Sequence, residues 1–266
     1  MRGGLRTVGR AGGPALAVTY LSLLVLLPVA AVVTQAFKGG WSGFWDAITQ
    51  PEALAALRLT LACSAIVAVF NAAAGLAAAW VLVRDDFPGK NLLAVVVDLP
   101  FALPTIVAGL TLLSLYGPHS PFHLDAAGTR FAVVMALAFV TLPFEVRAVQ
   151  PVLAALDRQK EEAASSLGAR PVTVFRRIIL PALAPALMAG MGLAFARAVG
   201  EYGSVVLFSG NLPFKTEVSS SWIFSLSQSG ELPAASAVSV LLIAIALVVL
   251  LGLGLVRRRF RLWAAP

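Results

Sequence analysis

Along this chain, six mostly apolar stretches of about 20 residues or more follow one another, separated by short polar connectors. Each is long enough for a helix across the hydrocarbon core of a bilayer, which takes about 20 residues. They run from about Pro14 to Phe37, Leu54 to Val83, Leu92 to Tyr116, Phe131 to Val149, Ala182 to Phe208 and Leu232 to Val256. Their apolar residues fall on every side of a helical wheel, as expected of helices surrounded by lipid and protein. The predicted organisation is a tail over residues 1–13, a membrane domain over 14–256 with a long polar loop over 151–181, and a basic tail over 257–266. A basic leader with Arg2, Arg6 and Arg10 before an apolar run is also the pattern of a cleaved signal peptide. This run is longer than a typical signal core and five more spans follow, so it is read as a retained span.

Composition agrees. Of 266 residues, 59% are hydrophobic and 12% charged, with mean hydropathy +0.88. A soluble domain carries about 25% charged residues, so this chain has too little polar surface to cover a water-soluble globule. The net charge of +7 would raise nucleic-acid binding in a soluble protein, but the basic residues sit between apolar blocks, where they meet headgroups and set topology. With the N-terminus inside, the inner loops hold fifteen basic residues and the outer loops four, Lys38, Arg58, Arg130 and Lys215. That asymmetry places both termini in the cytoplasm. The outer stretches contain Trp41, Trp45 and Trp222, which fit an interfacial aromatic belt. His119 and His123 share one of these loops with Asp125, but Pro121 breaks the helix that would align them, so they read as solvated and no metal site is expected. A lone cysteine, Cys63, rules out an internal disulfide.

The most informative segment is the inner loop between the fourth and fifth spans. Asp157 is a candidate N-cap with acidic residues after it, Gly168 a helix stop, and Pro181 a residue tolerated at the start of the next span. A short helix, a glycine turn and a second short amphipathic helix would make a solid element beneath the membrane. It could be gripped by another protein or lie on the lipid surface. No GxxxxGK[ST] phosphate loop occurs in the chain, Gly89-Lys90 being followed by Asn91.

Glu162-Ala163-Ala164, then Gly168, then Ile178-x-Leu180-Pro181 resembles the cytoplasmic signature of ABC importer permeases. The resemblance implies that residues 162–168 form a coupling helix that docks on a separate ATPase subunit. It implies an all-α fold with six transmembrane helices, the type I importer core. It also implies two ATPase subunits, a second and related permease, and an extracytoplasmic binding protein as partners. This chain would bind no cofactor, ATP and magnesium belonging to the ATPase, and would not be an enzyme by itself. Further motifs narrow the substrate. Asp98 to Thr111, Val146 to Leu153 and Pro233 to Ala237 are similar to sulfate/thiosulfate permeases. Gly210 to Glu217, with Asn211 and Lys215, points the same way, while Gly230-Glu231-Leu232 departs from that pattern. Phe195 to Gly203 is shared with molybdate and tungstate permeases, which makes those oxyanions the alternative. From another class, a secondary transporter or channel would carry more ionisable residues through its spans, and a membrane enzyme would need a nucleophile or metal constellation.

Two features carry candidate path chemistry. Arg197 and Glu201 stand four apart in the fifth span, where ionisable groups are costly. They are read either as lining an anion path or as a static neutralising pair. Gly192, Ala196, Gly200 and Ser204 would form one small-residue stripe on that helix, for packing or for a passing solute. Pro100 and Pro104 suggest that the third span is broken or kinked after Asp98. The candidate path residues are therefore Pro100, Pro104, Arg197, Gly200, Glu201, Gly203, Asn211 and Lys215.

Overall fold

The computed structural model describes residues 13, 14 and 16–264, with side chains to residue 256. The expected tail over 1–13 thus lies outside the described residues apart from Gly13, as do residues 265 and 266. Among the described residues the fold is all-helical. The helices are α1 (Leu16–Ala36), α2 (Gly40–Thr49), α3 (Pro51–Arg84), α4 (Lys90–Ala102), α5 (Thr105–Tyr116), α6 (Arg130–Ala154), α7 (Arg158–Ser166), α8 (Pro171–Val199), α9 (Gly203–Ser209), α10 (Ser219–Gln228) and α11 (Leu232–Ala264). Five of them, α1, α3, α6, α8 and α11, are long and apolar enough to cross a membrane, and α4 with α5 makes a sixth if the bent pair counts as one span.

The chain divides into two compact units, residues 1–50 with 223–241 and residues 51–222 with 242–266. In the first, the stretch read as an outer loop folds into α2, and Phe37, Trp41 and Phe44 stack on one another, the closest pair of rings 4.7 Å apart. In the second, α3, α6 and α8 pack as a three-helix core. One apolar cluster joins Val67 of α3, Val133 and Leu137 of α6 and Ala198 of α8. Another joins Leu82, Val149 and Leu153 to Ile179 and Leu183. Rising numbers on α6 therefore meet falling numbers on α8, so these two run antiparallel. Asn71 Nδ2 donates to Thr141 Oγ1 (2.9 Å), and one turn further along Gly75 lies against Glu145, so α3 and α6 run parallel.

The third span is broken rather than kinked, one of the two forms its prolines suggested, and two other expectations change. Leu103 is extended, as a residue before proline is biased to be, Pro104 opens α5, and the two helices diverge by 116°. The fifth span starts earlier than Ala182 and stops short of Phe208. Its helix opens at Pro171 and passes through a π turn over Phe175–Ile179, whose extra residue precedes Pro181. Pro181 therefore does not begin the span. The π turn accommodates it, Leu180 N–H reaching back to Phe175 O. The helix ends at Val199, and a break over residues 200–202 separates it from the short α9. The last helix continues through the basic tail to Ala264.

Candidate functional site

Two regions of the second unit gather the sequence-predicted residues. The first is α7 and the root of α8. Asp157 caps α7, accepting from Gln159 N–H at 3.0 Å. Gly168 ends it at φ +83°, with Gly168 N–H donating to Ser165 O (2.9 Å) and Ala169 N–H to Ala164 O (3.0 Å). Those two bonds satisfy carbonyls that a helix end leaves open, and the positive φ is the reason for glycine. Glu162 and Ala163 point to solvent, whereas Ala164 is half-buried and, like Ala169, Phe175 and Ile178, packs against the buried cluster that holds Leu153, Val174 and Ile179. The signature thus has two faces, one for the chain itself and one free. On the free side Leu167 is 89% exposed and Val172 66%, an apolar edge beside charged residues. Ile178 and Leu180 are half-buried, Pro181 is exposed, and the fully inserted residue of that run is Ile179. A cleft of about 500 Å³ beside α7 is lined by Asp157, Lys160, Glu161, Arg177 and Pro181 among others.

The second region is where two helix breaks meet. A Cβ on Gly203, which opens α9, would stand 2.5 Å from Thr105 Oγ1 and 2.9 Å from Ile106 N, so the start of α9 lies directly against the start of α5. Gly109 is as close to Ser204, where a Cβ would meet backbone at 2.7 Å. Pro104, Arg197, Gly200, Glu201 and Gly203 therefore belong to one neighbourhood. Arg197 Nη1 is 2.6 Å from Glu201 Oε2, but Glu201 has left the helix that carries Arg197. Its other oxygen accepts from Ser204 N–H and Ser204 Oγ–H, both at 2.9 Å, and the Glu201 carbonyl accepts from Ser220 Oγ at 2.5 Å. The carboxylate is 2% exposed and fully engaged as the cap of α9, while 32% of the Arg197 side chain remains accessible. The four-residue stripe is divided for the same reason. Gly192 packs against Leu250 and Leu253 of α11, whereas a Cβ on Gly200 would meet open space.

Pro100 is buried within α4 and Asp98 beside it pairs with Arg147 of α6, which also donates to Gln150 at 2.7 Å. Asn211 and Lys215 are not drawn to the breaks. They lie beyond the seven residues of α9, about 10 Å of helix. Asn211 takes a left-handed turn, and Lys215 is exposed with its carbonyl accepting from Arg130 Nε at 3.2 Å. In this loop burial, and then the neighbouring Glu52, push the Glu217 carboxyl above its ordinary range; in the separate turn between α3 and α4, the hydrogen bond and charge of Lys90 lower Asp86. His119 and His123 are exposed.

Three residues went unread in the sequence. Arg84 ends α3 and pairs with Glu161 at 2.5 Å. Glu145, in the middle of α6, is fully buried with neither carboxylate oxygen hydrogen-bonded. Leu167, within the 162–168 stretch, is 89% exposed. A glutamate inside an apolar run was the signal that could have marked Glu145; the others depend on which helix face meets the core.

The family model of the binding-protein-dependent transport system inner membrane component matches residues 72–262. The chain is 42% identical over 248 residues to the sulfate transport system permease protein CysT of Salmonella typhimurium, covering 91% of this chain and 90% of that protein. It is 40% identical over 254 residues to the protein of the same name from Synechocystis, covering 93% and 89%. Among solved structures, a chain of a bacterial ABC transporter involved in the import of the acidic polysaccharide alginate superposes with a TM-score of 0.77 at 17% identity, covering 96% of each chain. A chain of the MetNI methionine ABC transporter gives 0.59 at 18% identity, covering 77% of this chain and 94% of that one. These two likenesses are of fold.

Proposed function

Because this chain belongs to the family of binding-protein-dependent transport system inner membrane components, we propose that it forms the translocation path for sulfate and thiosulfate in an ATP-driven importer. Its partners in this reading are two ATPase subunits, a second and related permease, and an extracytoplasmic binding protein. The observation that carries the reading is α7. It is capped at both ends and presents Glu162, Ala163 and Leu167 outward, as a helix gripped by another subunit must. A chain without a phosphate loop needs such a grip to be driven by ATP. The names of its relatives speak for sulfate over molybdate, for which only the shared motif around residues 195–203 spoke. Fifteen basic residues against four in the loops support a cytoplasmic location for α7 and both termini.

The path runs past the two helix breaks. A dianion in a region of low dielectric needs compensating charge, and broken helices supply it as free backbone donors. Here α5 begins against Gly203, two residues past Glu201, and Arg197 keeps donors to spare after pairing with Glu201. Pairing keeps the arginine from holding the anion too tightly for release. Replacing Arg197 with alanine lowers sulfate uptake at least tenfold while the complex assembles and hydrolyses ATP. Glu201→Gln, which still caps α9, slows release instead and lowers both apparent affinity constant and turnover. Wild-type uptake by Arg197→Ala would remove this residue from the path.

A further inference from the structure

The last turn of α3 holds a cluster that the recognised signature does not include. Arg84 is the final residue of α3, and only 9% of its side chain is exposed. It reaches Glu161 on the inner side of α7, itself 19% exposed, at 2.5 Å. The Arg84 guanidinium also lies over the ring of Trp80, one turn back, 5.5 Å from its centroid. Trp80 in turn meets Phe175 edge to face with centroids 5.8 Å apart, and Phe175 opens the π turn at the root of α8. Glu161, Arg84, Trp80 and Phe175 thus connect α7, α3 and α8 in unbroken series.

Covalently, α7 is joined to its neighbours only through the turns at residues 155–157 and 167–170. Turns of three or four residues act as hinges, so a pull on α7 passed through backbone alone would swing the helix. A charge-assisted pair sheltered from solvent is directional and weakly screened. A cation is also favoured at the C-terminus of α3 by the helix dipole, which fixes Arg84 to α3 and leaves Glu161 as the group it captures. Ala164 adds apolar contact on the same inner side, but a methyl group sets no direction.

We propose that Arg84 is a positioning residue through which displacement of α7 is passed to α3 and, by way of Trp80 and Phe175, to the root of α8. It touches neither nucleotide nor anion. The inference rests on the proposed function, because an ATPase has to move α7. Docking uses Glu162, Ala163 and Leu167 on the free side, so loss of the pair leaves docking intact and disconnects it from the spans. α8 leads from Phe175 to Arg197, so a shift at its root arrives at the break where the anion passes.

The test uses the complete complex in proteoliposomes, with ATP hydrolysed per sulfate transported as the readout and ATPase co-purification as the control. Arg84→Gln and Glu161→Gln are each expected to keep the ATPase bound and hydrolysing, while sulfate moved per ATP falls about tenfold, the scale of one charge-assisted hydrogen bond. Arg84→Lys, which keeps a cation over Trp80 and within reach of Glu161, recovers most of it. A wild-type ratio in Arg84→Gln overturns the inference, and so does loss of ATPase recruitment in that variant, which would make the pair a folding contact. A wild-type chain that recruits no ATPase would instead refute the proposed function, and this inference with it.

Discussion

Glu145 is gripped between two glycines, and the grip makes a prediction that separates its stem from its head. A Cβ on Gly75 of α3 would stand 2.6 Å from Glu145 Cγ, 2.7 Å from its Cβ and 3.3 Å from Val146 N. A Cβ on Gly190 of α8 would stand 2.5 Å from Oε2, 2.6 Å from Cδ and 2.8 Å from Oε1. Ordinary contacts begin near 3.4 Å, so either alanine asks for a shift approaching an ångström. At Gly75 the obstacle is the stem and backbone of α6, which do not move separately. At Gly190 it is a carboxylate that no hydrogen bond holds, free to turn within what little space a fully buried site leaves. Overpacking of this kind costs on the order of 1–3 kcal/mol, with Gly75→Ala at the upper end and Gly190→Ala at the lower. Combining each with Glu145→Ala tells the two apart. Removing the head relieves Gly190→Ala almost completely. It leaves Gly75→Ala strained, because the Cβ of residue 145 stays in place. Thermal unfolding of the purified complex, run as two double-mutant cycles, measures both, with a coupling of about 1 kcal/mol or more expected for 190–145. Equal rescue of both glycine variants, or wild-type stability in Gly75→Ala, would refute the reasoning.

Two further outcomes are expected. Gly168→Val puts a β-branched residue at φ +83°, at a cost of roughly 1–2 kcal/mol; it should leave the chain inserted and abolish sulfate-stimulated ATP hydrolysis, and normal stimulation would count against α7 as the docking helix. Single cysteines at Gly89 and Arg170, in a background lacking Cys63, should react only from the cytoplasmic side and one at Phe214 only from outside, with external labelling of position 170 overturning the orientation. Ser219, which its place in an outer loop would recommend, is unsuitable because it is buried against Thr60.

The sequence marked hydrophobic length and local chemistry, and left out direction. The spans α3 and α6 were legible to within a few residues because length and apolarity define them. Asp157 and Gly168 were legible because capping is a matter of one residue type at one place. Pro100 and Pro104 announced a break, yet its 116° angle depends on α5 lying against Gly203, a contact 98 positions away in sequence. Gly200 read as one member of a small-residue stripe and Gly203 as a path residue, although glycines on both sides of Glu201 equally mark the end of one helix and the start of another. Arg197 and Glu201 were paired correctly on spacing, and the break between them turned an expected helix-face pair into a cap. Arg84 with Glu161 and the Glu145 slot were invisible for one reason. Helices that are apolar on all faces carry no period that says which side meets which neighbour.

The central claim is that α7 couples a separate ATPase to sulfate passage through this chain. Its most direct measurement is uptake of labelled sulfate into proteoliposomes holding the chain with its second permease, ATPase and binding protein, with ATP inside the compartment that faces α7. Uptake that needs ATP, disappears in Glu162→Lys with Leu167→Asp, and is competed by thiosulfate far better than by molybdate is the predicted result. Sulfate entry that continues without ATP, or that survives those two substitutions unchanged, would contradict it.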